Sequence, residues 1–255
     1  TERHFHPFNF AEIGNHPNYN LPFIFEHGLL PSMFLSANLD EGLAAYIDTY
    51  LTEEIAAEGA ARNISAFSRF LTTAALTNSR LLNYSNIASD AQIPVQTVRQ
   101  WYDVLQTTLL GCQLEPFTKT KKRKAIATAK FYFFDIAIAR SLRNIPVPAE
   151  GTSEAGEYFE QLVFMELKCW IDYVRLRSKL TFWRSTSNME VDFCVDEELA
   201  IEAKLTMNVS EKHLKGLKAL REENIFSRSY GVVRRYFVSL RSSWRESGLQ
   251  SLQSQ

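Results

Sequence analysis

What this sequence lacks narrows the choices first. No apolar run in its 255 residues approaches the roughly 18 that a bilayer-spanning helix needs, so no membrane is expected. Thr1 to Ile13 holds Glu2, Arg3, His4, His6 and Glu12, which no signal peptide tolerates in its apolar stretch. There is no initiator Met, so a piece of something longer is expected. Cysteine is scarce: Cys112, Cys169 and Cys194 lie far apart with no C-x-x-C. Neither a disulfide framework nor a zinc site is expected from them, and the cytoplasm is the expected compartment. Repeats are absent, and low complexity is confined to a Ser/Gln-rich tail from Ser242 to Gln255. What remains is ordinary for a globular protein, with 45% hydrophobic and 22% charged residues. The length suffices for one large domain or two to three small ones, each burying a core.

The net charge of -1 hides an asymmetry. Residues 1–111 carry 5 Lys/Arg against 11 Asp/Glu, and residues 112–145 carry 8 against 2. Residues 150–204 reverse this, with 6 against 12, and residues 205–255 carry 9 against 4. A basic block followed by an acidic one suits a segment that meets an anion and a segment that collects cations. An unevenly charged solvated surface is the alternative.

Residues 1–35, rich in aromatics, His, Asn and Pro, read as the end of a domain. Residues 39–58 read as a helix with Asp40 as N-cap, because Leu43, Ile47, Leu51 and Ile55 recur at helical spacing. Residues 65–78 read as a second helix capped by Ser65. In N-Y-S-N-I-A-S-D-A-Q-I-P-V-Q-T-V-R-Q-W-Y, Ser85 caps a short helix, and Gln92-Ile93-Pro94 turns into a longer one. The longer helix buries Val98, Trp101 or Tyr102, Leu105 and Leu109. Gln96, Thr97, Arg99 and Gln100 face outward at its start, a helix-turn-helix pattern. A basic run follows, Lys119, Lys121, Lys122, Arg123 and Lys124, and then the strand K-F-Y-F-F. Two strands with a basic tip behind such a helix pair read as a winged helix, with DNA as partner. A helical hairpin of a protein interaction domain has the same appearance. Residues 144–156 hold two Pro and two Gly and read as a linker. Beyond it, a long helix, a strand pair, a helix and a strand follow in α/β order.

The long helix, expected over 155–174, carries an apolar stripe of Phe159, Val163, Phe164, Leu167, Trp170, Ile171 and Val174. Glu160 falls inside that stripe, and Glu157 and Glu166 at its edges. A carboxylate there is costly unless it binds a metal or is salt-bridged to an Arg in the core. In M-E-V-D-F-C-V-D and L-A-I-E-A-K, alternation puts Glu202 and Lys204 on one face of a strand. A three-residue loop of Asp196-Glu197-Glu198 sets Asp192 opposite Glu202, whereas a two-residue loop splits the set across two faces. Facing carboxylates repel unless a cation lies between them. Glu160, Asp192 and Glu202 offer hard oxygens suited to Mg²⁺ or Mn²⁺, and Lys204 could position a water or stabilise charge on a phosphate. The same chemistry predicts an odd loop or a bulge.

F-E-Q-L-V, E-V-D-F and I-E-A-K, in this order, resemble the PD-(D/E)XK nuclease superfamily. H-P-F-N-F-A-E-I, Y-I-D-T-Y-L-T-E-E-I, L-L-N-Y-S-N-I-A, G-E-Y-F-E-Q-L-V and H-L-K-G-L-K-A-L-R-E-E resemble the C-terminal portion of a family of bacterial and archaeal AAA-type ATPases. The resemblance implies that Glu160, Asp192, Glu202 and Lys204 are the catalytic set, with the three acids as metal ligands. It further implies a remnant of the ATPase core and helical lid over 1–60, a winged helix-turn-helix over 61–145 and a nuclease-like domain over 146–255. The fold class expected is α/β with an α-rich N-terminal half. No G-x-x-x-x-G-K-[ST] is present, so no ATP site is expected in this chain and the ATPase core is a missing partner. E-V-D replaces P-D, which leaves activity open, and three functions stand: a Mg²⁺-dependent nuclease that holds DNA, a nuclease-like module that targets an ATPase through DNA or protein contacts without cutting, or a protein interaction module with no nucleic acid.

Overall fold

The computed structural model describes residues 5–51, 63–174, 177–206 and 210–233. The Ser242–Gln255 tail and residues 52–58 of the helix expected over 39–58 lie outside the described residues. The chain opens with α1 (Phe10–Ile13), α2 (Leu21–His27), α3 (Pro31–Phe34) and α4 (Leu39–Ala45), the last running into a π-helical turn, Tyr46–Leu51. Then come α5 (Ile64–Leu76), α6 (Tyr84–Ala91) and α7 (Val95–Thr107), followed by β1 (Gly111–Pro116), β2 (Lys130–Phe133) and α8 (Ile136–Arg143). The rest is α9 (Ser153–Tyr173), β3 (Leu180–Arg184), β4 (Glu190–Val195), β5 (Leu199–Lys204), α10 (Lys215–Arg221) and β6 (Arg228–Val233).

Asparagine, not the serine or aspartate expected, starts α4, α5 and α6. Asn63 and Asn83 accept the N–H of Ala66 and Asn86 and so cap α5 and α6, in place of the expected Ser65 and Ser85. Asn38 precedes α4, which moves Asp40 into the first turn, where its charge still suits the helix dipole. Both residue types cap about equally well, so pattern reading chose the wrong neighbour. Two further corrections have local causes. Thr152 caps α9 through the Ala155 N–H, so the linker ends before Ser153. Helix α7 stops at Thr107, and Leu109 adopts a left-handed φ of 61°, leaving it exposed while Leu110 turns inward.

Among the described residues, six strands form one mixed sheet in the order β2-β1-β3-β4-β5-β6. Pairs β1–β2, β3–β4 and β4–β5 are antiparallel, and β1–β3 and β5–β6 are parallel. Helices α5 to α8 bury Phe67, Phe70, Trp101, Tyr102 and Ile138 against Phe131 and Phe133 of β2. Helices α2 and α9 cover one sheet face, where Phe25, Tyr158, Phe159 and Phe164 meet Phe182, Phe193 and Ile201. Helix α10 covers the other face, with Leu217 and Leu220 against Trp183, Val191 and Ala200. Its approach requires Gly216: a Cβ there would lie 1.6 Å from the Glu190 carbonyl oxygen. The architecture is thus mixed α/β. No helix among the described residues is long and apolar enough to cross a membrane.

Candidate functional site

The hairpin of β4 and β5 brings the expected acids together. Phe193 pairs with Ile201, Cys194 with Ala200 and Val195 with Leu199, so the loop is Asp196-Glu197-Glu198, three residues long. The same register carried one step further sets Asp192 opposite Glu202. Across β3 and β4, Thr181 pairs with Cys194 but Trp183 with Val191. One extra residue therefore sits in β4 between Val191 and Cys194, a bulge at Asp192 and Phe193. Bulges re-aim side chains in this way beside functional sites. Asp192 and Glu202 are both buried. Lys204 bridges them, its Nζ 3.2 Å from Asp192 Oδ2 and 2.7 Å from Glu202 Oε1. Asp192 Oδ2 also accepts the Ala203 N–H at 2.8 Å.

Glu160 belongs to the same electrostatic cluster but answers to a residue that pattern reading did not select. Lys130, 3% exposed, places its Nζ 2.9 Å from Glu160 Oε1 and 2.7 Å from Glu190 Oε1. The Tyr132 hydroxyl donates to the same Glu160 Oε1 at 2.6 Å. Arg184 pairs with Glu190 from its other side, at 3.2 Å. One signal could have found Lys130. Alternation in K-F-Y-F-F puts Lys130 and Tyr132 on one face and Phe131 and Phe133 on the other, and the cores divide in that way. Glu157 and Glu166, at the edges of the helix stripe, point elsewhere. Glu157 pairs with Arg80 and Arg143. Glu166 accepts the Tyr19 hydroxyl and the Phe10 N–H, and burial pushes its carboxyl up to about 7.

Burial dominates the protonation chemistry. Glu202 is pushed up to about 8 by burial and then by Asp192, against the opposing pull of Lys204. Its Oε2 is buried with no hydrogen-bond partner among the described residues. Burial also raises the Glu160 carboxyl, with Lys130 pulling it back. Burial opposes the charge on Lys130, but Glu160, Tyr132 and Glu190 outweigh it and hold the ammonium well above its ordinary value.

The fit of a divalent cation follows from these partners. The lone Glu202 Oε2 is a free hard donor, but the other carboxylates already hold ammonium groups. Among the described residues, no group of three or more His, Cys, Asp or Glu side chains is arranged to hold a metal ion. As arranged, Lys130 and Lys204 take up the oxygens of these carboxylates that a cation would use, apart from Glu202 Oε2.

The residues expected to meet DNA divide into two sets. Gln96, Arg99 and Gln100 are exposed at the start of α7, Thr97 is half-buried, and Arg99 lies over the Tyr84 ring at 4.3 Å. The turn before them uses Gln92 at φ 56°, with Pro94 at the N-cap. The basic run between β1 and β2 is not a free tip. Lys119 pairs with Glu197, Arg123 with Glu222 and Glu223, and Lys122 donates to the Glu222 carbonyl. Lys121 and Lys124 stay exposed.

A mixed α/β chain whose sheet carries a lysine-bridged acidic cluster is the class that fold and site define. The chain belongs to the family described as a domain of unknown function, DUF8612, whose model matches residues 20–149. A second model, the domain of unknown function DUF4143, matches residues 155–243. Similar curated proteins are an uncharacterized protein of Mycobacterium bovis and one of Mycobacterium tuberculosis, each 24% identical over 173 residues. The match covers 66% of this chain and spans 38% of the relatives' length. No solved structure matches the chain.

Proposed function

We propose that this chain is a DNA-binding module of a AAA-type ATPase, made of a winged helix and a nuclease-like domain whose acidic centre is held by lysines. The observation that carries the DNA reading is the order α5-α6-α7-β1-β2, with the polar start of α7 exposed and a loop of five cations between the strands. In this reading α7 enters a groove, and the cations of the loop contact phosphates. The ATPase assignment rests on the sequence resemblance. The acidic centre acts as the joint between the two units, because Lys130 of β2 is inserted between Glu160 of α9 and Glu190 of β4.

The test is binding of labelled duplex DNA over a salt series. Replacing Lys121, Lys122, Arg123 and Lys124 by Ala should weaken binding and flatten its salt dependence, each lost phosphate contact removing about 0.9 from the slope of log K against log salt. Unchanged binding would leave a protein interaction module as the reading.

A specific observation favours a second reading, a metal-dependent endonuclease. Asp192, Glu202 and Lys204 converge on one site, and Glu202 keeps a buried oxygen without a partner. If Lys130 withdrew, Glu160, Asp192 and Glu202 would be the residues to hold Mg²⁺ or Mn²⁺. The metal would polarise a phosphate and acidify a water. Incubation of supercoiled, linear and branched DNA with either metal, beside Lys204→Ala, separates the readings. Cleavage that Lys204→Ala abolishes favours the nuclease, and no cleavage favours the lysine-held module.

A further inference from the structure

Five cations crowd six positions of the loop between β1 and β2, yet the loop folds back onto the end of α10. Three successive backbone N–H groups converge there on one side chain. Lys121 N and Lys122 N donate to Glu223 Oε2 at 2.8 Å each, and Arg123 N donates to Glu223 Oε1 at 3.0 Å. The Glu223 side chain is 0% exposed. The Arg123 guanidinium lies 3.8 Å from Glu223 Oε1, reaches Glu222 at 2.5 Å and donates to the Ala219 carbonyl at 3.0 Å. Burial works against the charge on Glu223, but the three amides and Arg123 outweigh it and hold its carboxyl below the ordinary value.

Successive amides aimed at one point make an anion-binding concavity, the arrangement that cradles phosphate in many proteins. Here the protein supplies the anion itself. The loop also keeps an excess of positive charge. Three carboxylates answer its cations, Glu197, Glu222 and Glu223, and the side chains of Lys121 and Lys124 make no ion pair among the described residues. A carboxylate presents two oxygens sharing one negative charge, and a phosphodiester presents the same through its two non-bridging oxygens.

We propose that the backbone amides of Lys121, Lys122 and Arg123, with the Arg123 and Lys122 side chains, form a phosphate-binding site that Glu223 fills in the free protein. A nucleic-acid backbone phosphate enters by displacing the Glu223 carboxylate. The amides are the specific element, the five cations draw the anion in, and Glu223 sets the threshold. The identity of the phosphate's source rests on the DNA reading above, but the site itself does not.

The test follows backbone amide shifts of the full chain labelled with nitrogen-15, titrated first with inorganic phosphate and then with a short DNA duplex. Glu223→Gln keeps an acceptor oxygen but removes the competing charge. It should bind inorganic phosphate about tenfold tighter than the parent, the size expected for losing one charge-assisted competitor. The saturating shifts should centre on the amides of residues 121–123. Its DNA affinity should rise as well, with a salt slope steeper by about 0.9, one more phosphate being neutralised. Equal or weaker phosphate binding by Glu223→Gln, or shifts centred elsewhere, would overturn the proposal. Should that variant fail to fold, Glu222→Gln leaves the Glu223 bonds in place. A smaller gain is then expected, and no gain overturns the proposal. Phosphate binding at these amides without any DNA binding would sink the DNA reading and leave the site standing. DNA binding that leaves these amides unmoved would do the reverse.

Discussion

Lys130→Met isolates the contact on which the acidic centre depends. The ammonium is buried, stands 2.9 Å from Glu160 and 2.7 Å from Glu190, and lies over the Phe182 ring at 5.3 Å. Met keeps the length and apolar body of the stem, so packing changes little and the charge is what is lost. Removing one member of a buried pair leaves the other uncompensated, at about 3–5 kcal/mol. Glu190 retains Arg184, and Glu160 retains the Tyr132 hydroxyl, which favours the lower end of that range. At roughly 2–4 °C per kcal/mol for a chain of this size, Tm should fall by about 6–16 °C. Glu160→Gln should cost less, because Gln still accepts from Tyr132 and Lys130 still has Glu190. The double variant should be more stable than the sum of the single losses predicts, by about 1–3 kcal/mol. Urea unfolding followed by tryptophan fluorescence gives all three values. Additive losses, or a loss under about 1 kcal/mol for Lys130→Met, would refute the assignment of Lys130 as the cation of the centre.

Other consequences are also measurable. Glu202, raised to about 8, binds a proton in the folded chain over a range where the unfolded chain has released it. Stability should therefore fall as pH rises from the ordinary carboxyl range through about 8, and Glu202→Gln should flatten that fall; an unchanged difference curve between parent and variant would contradict the burial argument. Asp135 is fully buried and accepts four backbone N–H groups, from Leu29, Leu30, Ala137 and Ile138. Asp135→Ala leaves those donors unsatisfied and should cost at least about 3 kcal/mol by urea unfolding. Gly216→Ala forces α10 away from the Glu190 carbonyl. It should cost about 1–3 kcal/mol, as overpacking does, and a neutral effect would show that the helix slides freely on the sheet.

Much of the site was legible because strand periodicity is strict. Once E-V-D-F and I-E-A-K are read as strands, parity alone places Glu202 beside Lys204, and the need to gather the acids on one face around a cation chooses the three-residue loop that the register displays. Helix periodicity likewise exposed Glu160 as an anomaly on an apolar stripe. The partner of Glu160 was not legible, because it lies 30 residues upstream on a strand that sequence assigns to another unit. Pairing across such a distance is settled by sheet order, and sheet order is not written in local patterns. The N-caps failed for a different reason: Asn, Ser and Asp compete on nearly equal terms, and the winner depends on where the chain enters the helix. The basic run was legible in position but not in conformation, since Glu222 and Glu223, about a hundred residues away, fold it back.

The boundary between the two family matches falls in the linker, between residues 149 and 155, yet it does not divide the structure. Strand β1 pairs with β2 on one side and with β3 on the other, at Glu115 with Thr181 and Pro116 with Phe182. Phe117 N continues the junction by donating to the Phe182 carbonyl at 2.6 Å. The core under α9 draws Tyr132 from β2, Phe25 from α2 and Phe193 from β4 into one cluster. A shift of β2 relative to α9 therefore cannot be absorbed by the linker. It must break the sheet at β1–β3, or unstack Tyr132 from Phe164, whose ring centroids are 4.2 Å apart, or pull Lys130 from between Glu160 and Glu190. The third alternative strands an ammonium and two carboxylates in a buried site, so it carries the charge penalty that the other two lack. Lys130 thus gives the junction a charge-dependent rigidity that apolar contacts alone would not. Of the three contacts, only this one makes motion of β2 against α9 depend on charge.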